Sequence, residues 1–218
     1  MKKLKVRFDE VVFAFVYKGV PDVVPEDLLV EKLEERGFEI EEGPRVFEFP
    51  GGEMMRLDIA RKGDVDVLYD PRESFIGVGT KTGNVSVLTN YIENLSEILR
   101  ELELDSPSFY RISARGRAWY GKNVKESLKD VLEIKLKNVE EKLGVDFKLQ
   151  PACIRLIPAD MDFGKLPWID LLIEPLVNNP KYYRTELIYQ DLDLASSLQM
   201  LRDMGERIAN LLKSMGGK

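Results

Sequence analysis

One order of elements is written twice along this chain, roughly a hundred residues apart: an apolar strand, a capped helix, several short strands and a long amphipathic helix. In the first copy, residues 4–18 are dense in β-prone apolar residues (Val11, Val12, Phe13, Ala14, Phe15, Val16, Tyr17), the composition of a central strand covered on both faces. Pro25 opens a short helix with Leu29 and Leu33 on one face, and Gly37 closes it. Short strands are expected at 45–49, 54–61, 64–70 and 75–80, separated by glycine and proline turns. A helix after Asn84 then carries Leu88, Tyr91, Ile92, Leu95, Ile98, Leu99 and Leu102 as one stripe.

The second copy restarts at Phe109. From Tyr110 to Tyr120 the strand alternates, with Tyr110, Ile112, Ala114, Gly116 and Ala118 on one face and Arg111, Ser113, Arg115, Arg117 and Trp119 on the other. A helix is expected from Asn123 to Gly144, followed by strands at 152–157, 168–176 and 182–189. The last helix begins near Asp191 or Asp193 and repeats Leu194, Leu198, Leu201, Gly205, Ile208, Leu212 and Met215, a seam in which Gly205 admits a close neighbouring backbone. No low-complexity linker divides the copies. The expectation is one domain, 1–218, made of two pseudo-repeated halves, 1–104 and 105–218. Its class is α+β: two similar β-α-β-β-β(-β)-α halves forming a mostly antiparallel curved sheet with four helices on one face.

Composition narrows the function classes. The chain has 218 residues and no histidine, which removes the commonest neutral-pH base and the commonest metal ligand. Its single cysteine, Cys153, lies in the apolar run 152–157 and reads as a buried small hydrophobe. No apolar run approaches a membrane span and no signal peptide is evident, so a cytoplasmic protein is expected. High Lys and Glu with Gln only at 150, 190 and 199 is the bias of a hyperthermophile, archaeal-like source. The net charge is −6, but residues 106–150 carry 10 Lys and Arg against 6 Asp and Glu. The middle is locally basic.

Strand, helix, strands and long helix, given twice, resembles the saddle of the TATA-box-binding protein family. Val11-Val12-Phe13-Ala14-Phe15-Val16-Tyr17-Lys18-Gly19 matches its opening strand, and Asp66-Val67-Leu68-Tyr69 through Phe75–Lys81 its strand, turn and strand before the second helix. The resemblance implies that family's fold and not its DNA wedge, because Asp64, Asp66 and Asp70 on the alternate face repel phosphates. The segments Phe8–Phe15, Tyr110–Arg117, Trp168–Leu172 and the final helix are similar to a sporadically distributed prokaryotic family of uncharacterised proteins, which implies no activity.

Arg111, Arg115, Arg117 and Trp119, continued by Lys122 and Lys125, form the leading candidate site. Guanidinium groups beside an indole suit phosphates and a stacked base. The competing reading is a cross-strand ion ladder in which these arginines meet Asp170, Glu174 or Glu186, and the excess of carboxylates favours it. Asp160 and Asp162, in the loop after a strand, form a weaker divalent-metal candidate, with Asp170 and Glu174 downstream. No cofactor is expected. The leading function is a non-enzymatic binding or scaffold protein with a protein partner or a second copy of itself. The alternatives are a nucleic-acid-binding protein using residues 110–125 and a metal-assisted enzyme centred on Asp160 and Asp162.

Overall fold

Strand β1 (Val6–Val16) is buried on both sides because both of its faces are apolar. Val11, Phe13 and Phe15 enter the cluster under the helices, while Val12, Ala14 and Val16 enter a second cluster on the opposite face. The computed structural model describes residues 4–18, 25–41, 45–49, 52–70, 74–119, 153–159, 165–176, 178–179 and 181–215. After β1 come α1 (Glu26–Glu35), β2 (Glu39–Ile40), β3 (Arg45–Phe49), β4 (Gly52–Lys62), β5 (Val65–Asp70), β6 (Phe75–Thr80) and α2 (Val85–Glu101). The chain continues with β7 (Phe109–Trp119), β8 (Ile154–Leu156), β9 (Trp168–Pro175), β10 (Tyr182–Asp191) and α3 (Leu194–Ser214).

The strands form one antiparallel sheet in the order β2-β4-β5-β6-β1-β7-β10-β9-β8, with β3 paired to β4. The class is therefore α+β. Among the described residues there are three helices; the helix expected at 123–144 lies outside them. Leu88, Ile92, Leu95, Ile98 and Leu99 of α2 share one apolar cluster with Leu201, Met204, Ile208 and Leu212 of α3. The same cluster takes Val67 and Val78 from one side of β1 and Ile112, Tyr183 and Leu187 from the other, so both halves of the chain contribute to it.

Local chemistry sets the helix ends. Gly37, at φ +74°, ends α1, and the Phe38 N–H returns 3.0 Å to the Leu33 carbonyl. Asp193 caps α3 by accepting 2.7 Å from the Ser196 N–H, a bond that holds its carboxyl below the usual carboxylate range.

Three expectations need correction. Cys153 is exposed, because the apolar run it belongs to supplies β8, whose neighbour in the sheet is β9 alone among the described residues. Among the described residues, Gly205 lies against an aromatic ring rather than a helix backbone; a Cβ there would stand 3.3 Å from the Phe8 ring of β1. The face away from the helices is not open throughout either. Val12, Ala14, Val16, Leu68, Phe75 and Phe109 are buried there, with Leu166 packed against them. Gly79 lies among these side chains, where a Cβ would come within 3.1 Å of Val12 Cγ2 and 3.2 Å of Leu68 Cδ1.

Candidate functional site

The alternation of β7 places Arg111, Arg115, Arg117 and Trp119 on the face away from the described helices, as Ile112, Ala114 and Ala118 fill the core on the other. Pairing with β1 and β10 fixes what stands beside each. Arg115 lies opposite Glu10 on β1 and Glu186 on β10. Its Nε is 3.4 Å from Glu186 Oε1, an ion contact without hydrogen-bond alignment. Glu186 also pairs with Arg184, which reaches Glu174 at 3.1 Å on its other side. Further along, Arg155 of β8 holds Asp170 of β9 through two hydrogen bonds of 3.0 and 2.7 Å.

Arg117 takes a partner that alternation alone hides. The register of β1 against β7 slips between Phe8 and Glu10, so Asp9 is an extra residue in the strand. Arg117 Nε and Nη2 donate to its two carboxylate oxygens at 3.0 and 2.8 Å. That hydrogen-bonded carboxylate raises the Arg117 guanidinium further above its ordinary range, and Asp170 does the same for Arg155. Arg111 lies over the Phe109 ring, 5.7 Å from its centroid, and Trp119 stands opposite Tyr182 of β10. Lys122 and Lys125 lie outside the described residues, as do Asp160 and Asp162.

Of the three carboxylates expected to meet the β7 arginines, Glu186 meets Arg115, whereas Asp170 and Glu174 are taken by Arg155 and Arg184. Strand order explains the difference: β10 separates β7 from β9. Asp9 and Arg155 are not among the residues the sequence places in the ladder. The signal for Asp9 was present in Asp9-Glu10, two consecutive acids inside an apolar strand.

No protein-family model, no curated protein and no solved structure matches this chain.

On the acidic side of the face, Arg61 Nε donates 2.7 Å to Asp66, and Lys81 Nζ stands 3.8 Å from the same carboxylate. Glu10, Asp66, Thr80 and Lys81 surround a cavity of about 10 Å³ over Val12 and Leu68, room for about one water. On the helix side, Leu4, Val6 and Ala209 with Lys5, Glu206 and Lys213 line an open groove of about 340 Å³. The charged groups of the sheet face are thus arrayed as pairs along a broad surface. Such an array suits recognition by complementarity, since each pair presents a fixed donor and acceptor pattern to whatever lies on it. No helix among the described residues is long and apolar enough to cross a membrane.

Proposed function

We propose that this chain is a non-enzymatic binding protein, cytoplasmic in location, whose contact surface is the face of β7, β10, β9 and β8 away from the described helices. The observation that carries this reading is the ladder of ion pairs Asp9–Arg117, Arg115–Glu186–Arg184–Glu174 and Arg155–Asp170, spread over adjacent strands with its outer members exposed. Exposed ion pairs contribute little to stability, typically below about 1 kcal/mol each, so stability alone gives little reason for the outer pairs of the array. The architecture proposed with it is two copies of one β-α-β-β-β-α unit, in the manner of the TATA-box-binding-protein-like fold. Strand order supports this. Outward from the adjacent β1 and β7, the sheet runs β6, β5, β4 on one side and β10, β9, β8 on the other, and a long helix follows β6 and β10.

Arginine-selective labelling with phenylglyoxal, read by mass spectrometry, tests the surface. The protein is labelled alone when dilute, alone when concentrated, and with the protein, nucleic-acid and small-molecule pools of a cell extract. Protection of Arg155 and Arg184 supports the reading, and protection on concentration alone identifies a second copy as the partner. Labelling unchanged under every condition, or protection restricted to the helical side, refutes it.

A further inference from the structure

Three arginines stand side by side across the centre of the sheet. Arg7 of β1 is opposite Arg117 of β7, which is opposite Arg184 of β10. Residues in register share a face, because antiparallel partners project the same way. Like charges directly opposite one another oppose strand pairing, and here the conflict runs through the middle strands. Carboxylates relieve part of it: Asp9 holds Arg117, and Glu174 and Glu186 hold Arg184. Arg7 is exposed and has no ion pair among the described residues. The next row along the same strands is aromatic, Trp119 opposite Tyr182, both half-buried. The Tyr182 phenol is close enough to interact electrostatically with Arg117.

From this juxtaposition we infer that the row Arg7–Arg117–Arg184 with Trp119 and Tyr182 is a binding site for a nucleoside phosphate, the phosphate on the guanidinium groups and the base against the aromatic pair. The inference rests on the face away from the described helices being the contact surface. Guanidinium forks match phosphate oxygens two at a time, and an indole or phenol ring offers a stacking face to any base. The surrounding acids limit the length of the ligand. Asp9, Glu10, Glu174 and Glu186 flank the row, so a single phosphate can lie over the arginines while a strand extending to either side meets carboxylates. A free nucleotide is therefore the expected source of the phosphate, rather than single-stranded nucleic acid.

Calorimetric titration of the full chain with AMP, inorganic phosphate and a dT12 oligonucleotide tests the assignment, repeated on Arg7→Ala and Trp119→Ala. AMP is expected to bind more tightly than inorganic phosphate, and dT12 no more tightly than AMP. Arg7→Ala, which removes no ion pair among the described residues, weakens AMP about tenfold, the loss of about one charge-assisted hydrogen bond, with an unchanged melting temperature. Trp119→Ala weakens AMP and leaves phosphate binding as it was. If that variant does not fold, the indole N–H resonance of Trp119 in the unmodified protein replaces it and shifts with AMP but not with phosphate. Equal affinity for AMP and phosphate overturns the nucleoside assignment, and tighter binding of dT12 overturns the restriction to a free nucleotide. A flat titration with all three ligands, while another pool protects Arg155 and Arg184 from labelling, sinks this inference and leaves the contact surface standing.

Discussion

Asp9 and Arg117 are joined by two hydrogen bonds of 3.0 and 2.8 Å although 108 residues separate them. The pair crosses the junction between β1 and β7, the place where the two halves of the chain meet, and it depends on the slipped register at Phe8–Glu10. Both side chains are well exposed, so solvent screening reduces the energy of the pair. A double-mutant cycle on Asp9→Ala and Arg117→Ala is expected to give a coupling of about 0.5–1 kcal/mol, shrinking in 1 M salt. A coupling of zero at low salt would mean the pair contributes nothing to the junction.

Glu186 is the most enclosed carboxylate of the ladder, with its side chain 11% exposed between Arg115 and Arg184. Replacing it by glutamine leaves two guanidinium groups facing a neutral amide in a half-dry setting. Urea unfolding of Glu186→Gln is expected to show a loss of about 1–3 kcal/mol. Glu174→Gln, at a more exposed site, loses less than about 1 kcal/mol. The reverse order would contradict the burial on which this rests.

Gly83 and Gly63 both have positive φ, at +66° and +61°, but differ in surroundings. A Cβ at Gly83 would lie 1.9 Å from the Phe8 carbonyl oxygen, whereas none of the described residues comes within 4 Å of one at Gly63. Gly63→Ala is expected to lose only the backbone preference, about 1 kcal/mol. Gly83→Ala is expected to lose at least about 2 kcal/mol more, because backbone must move at the start of α2. Equal thermal shifts for the two variants would disprove the close approach.

Alkaline pH acts through two tyrosines. Burial first, then the neighbouring Asp191 that accepts from its hydroxyl, pushes Tyr189 up to about 12. Tyr17, donating 2.6 Å to the Leu104 carbonyl, is raised by burial, with Tyr110 and Asp105 adding to the effect. Because the folded phenols resist ionisation more than the unfolded ones, their stabilisation is complete below about pH 10. It is lost as pH rises from there through the folded values. Unfolding midpoints measured from about pH 9 to about 11.5 should fall, and fall less in Tyr17→Phe and Tyr189→Phe. Identical profiles in all three proteins would count against both assignments.

Element type was written in the sequence wherever one local pattern dominated. The apolar residues from Val11 to Tyr17 marked a strand buried on both sides, and the stripe of α2 and the strict alternation of β7 gave type and core face together. Such patterns are local, repeating every two or 3.6 residues, and a single chain displays them without its fold. The partners of the arginines were not local. Arg117 went to Asp9 through a bulge, and Asp170 and Glu174 went to Arg155 and Arg184 because β10 intervenes. Cys153 is exposed against expectation for a related reason, since an apolar run has the same composition at the end of a sheet as at its centre. What the amino-acid order determined by itself was which residues form strands and helices and which side of each is apolar. Tertiary structure alone decided strand order and register, and these set which charges face one another and bring Arg7, Arg117 and Arg184 into one row.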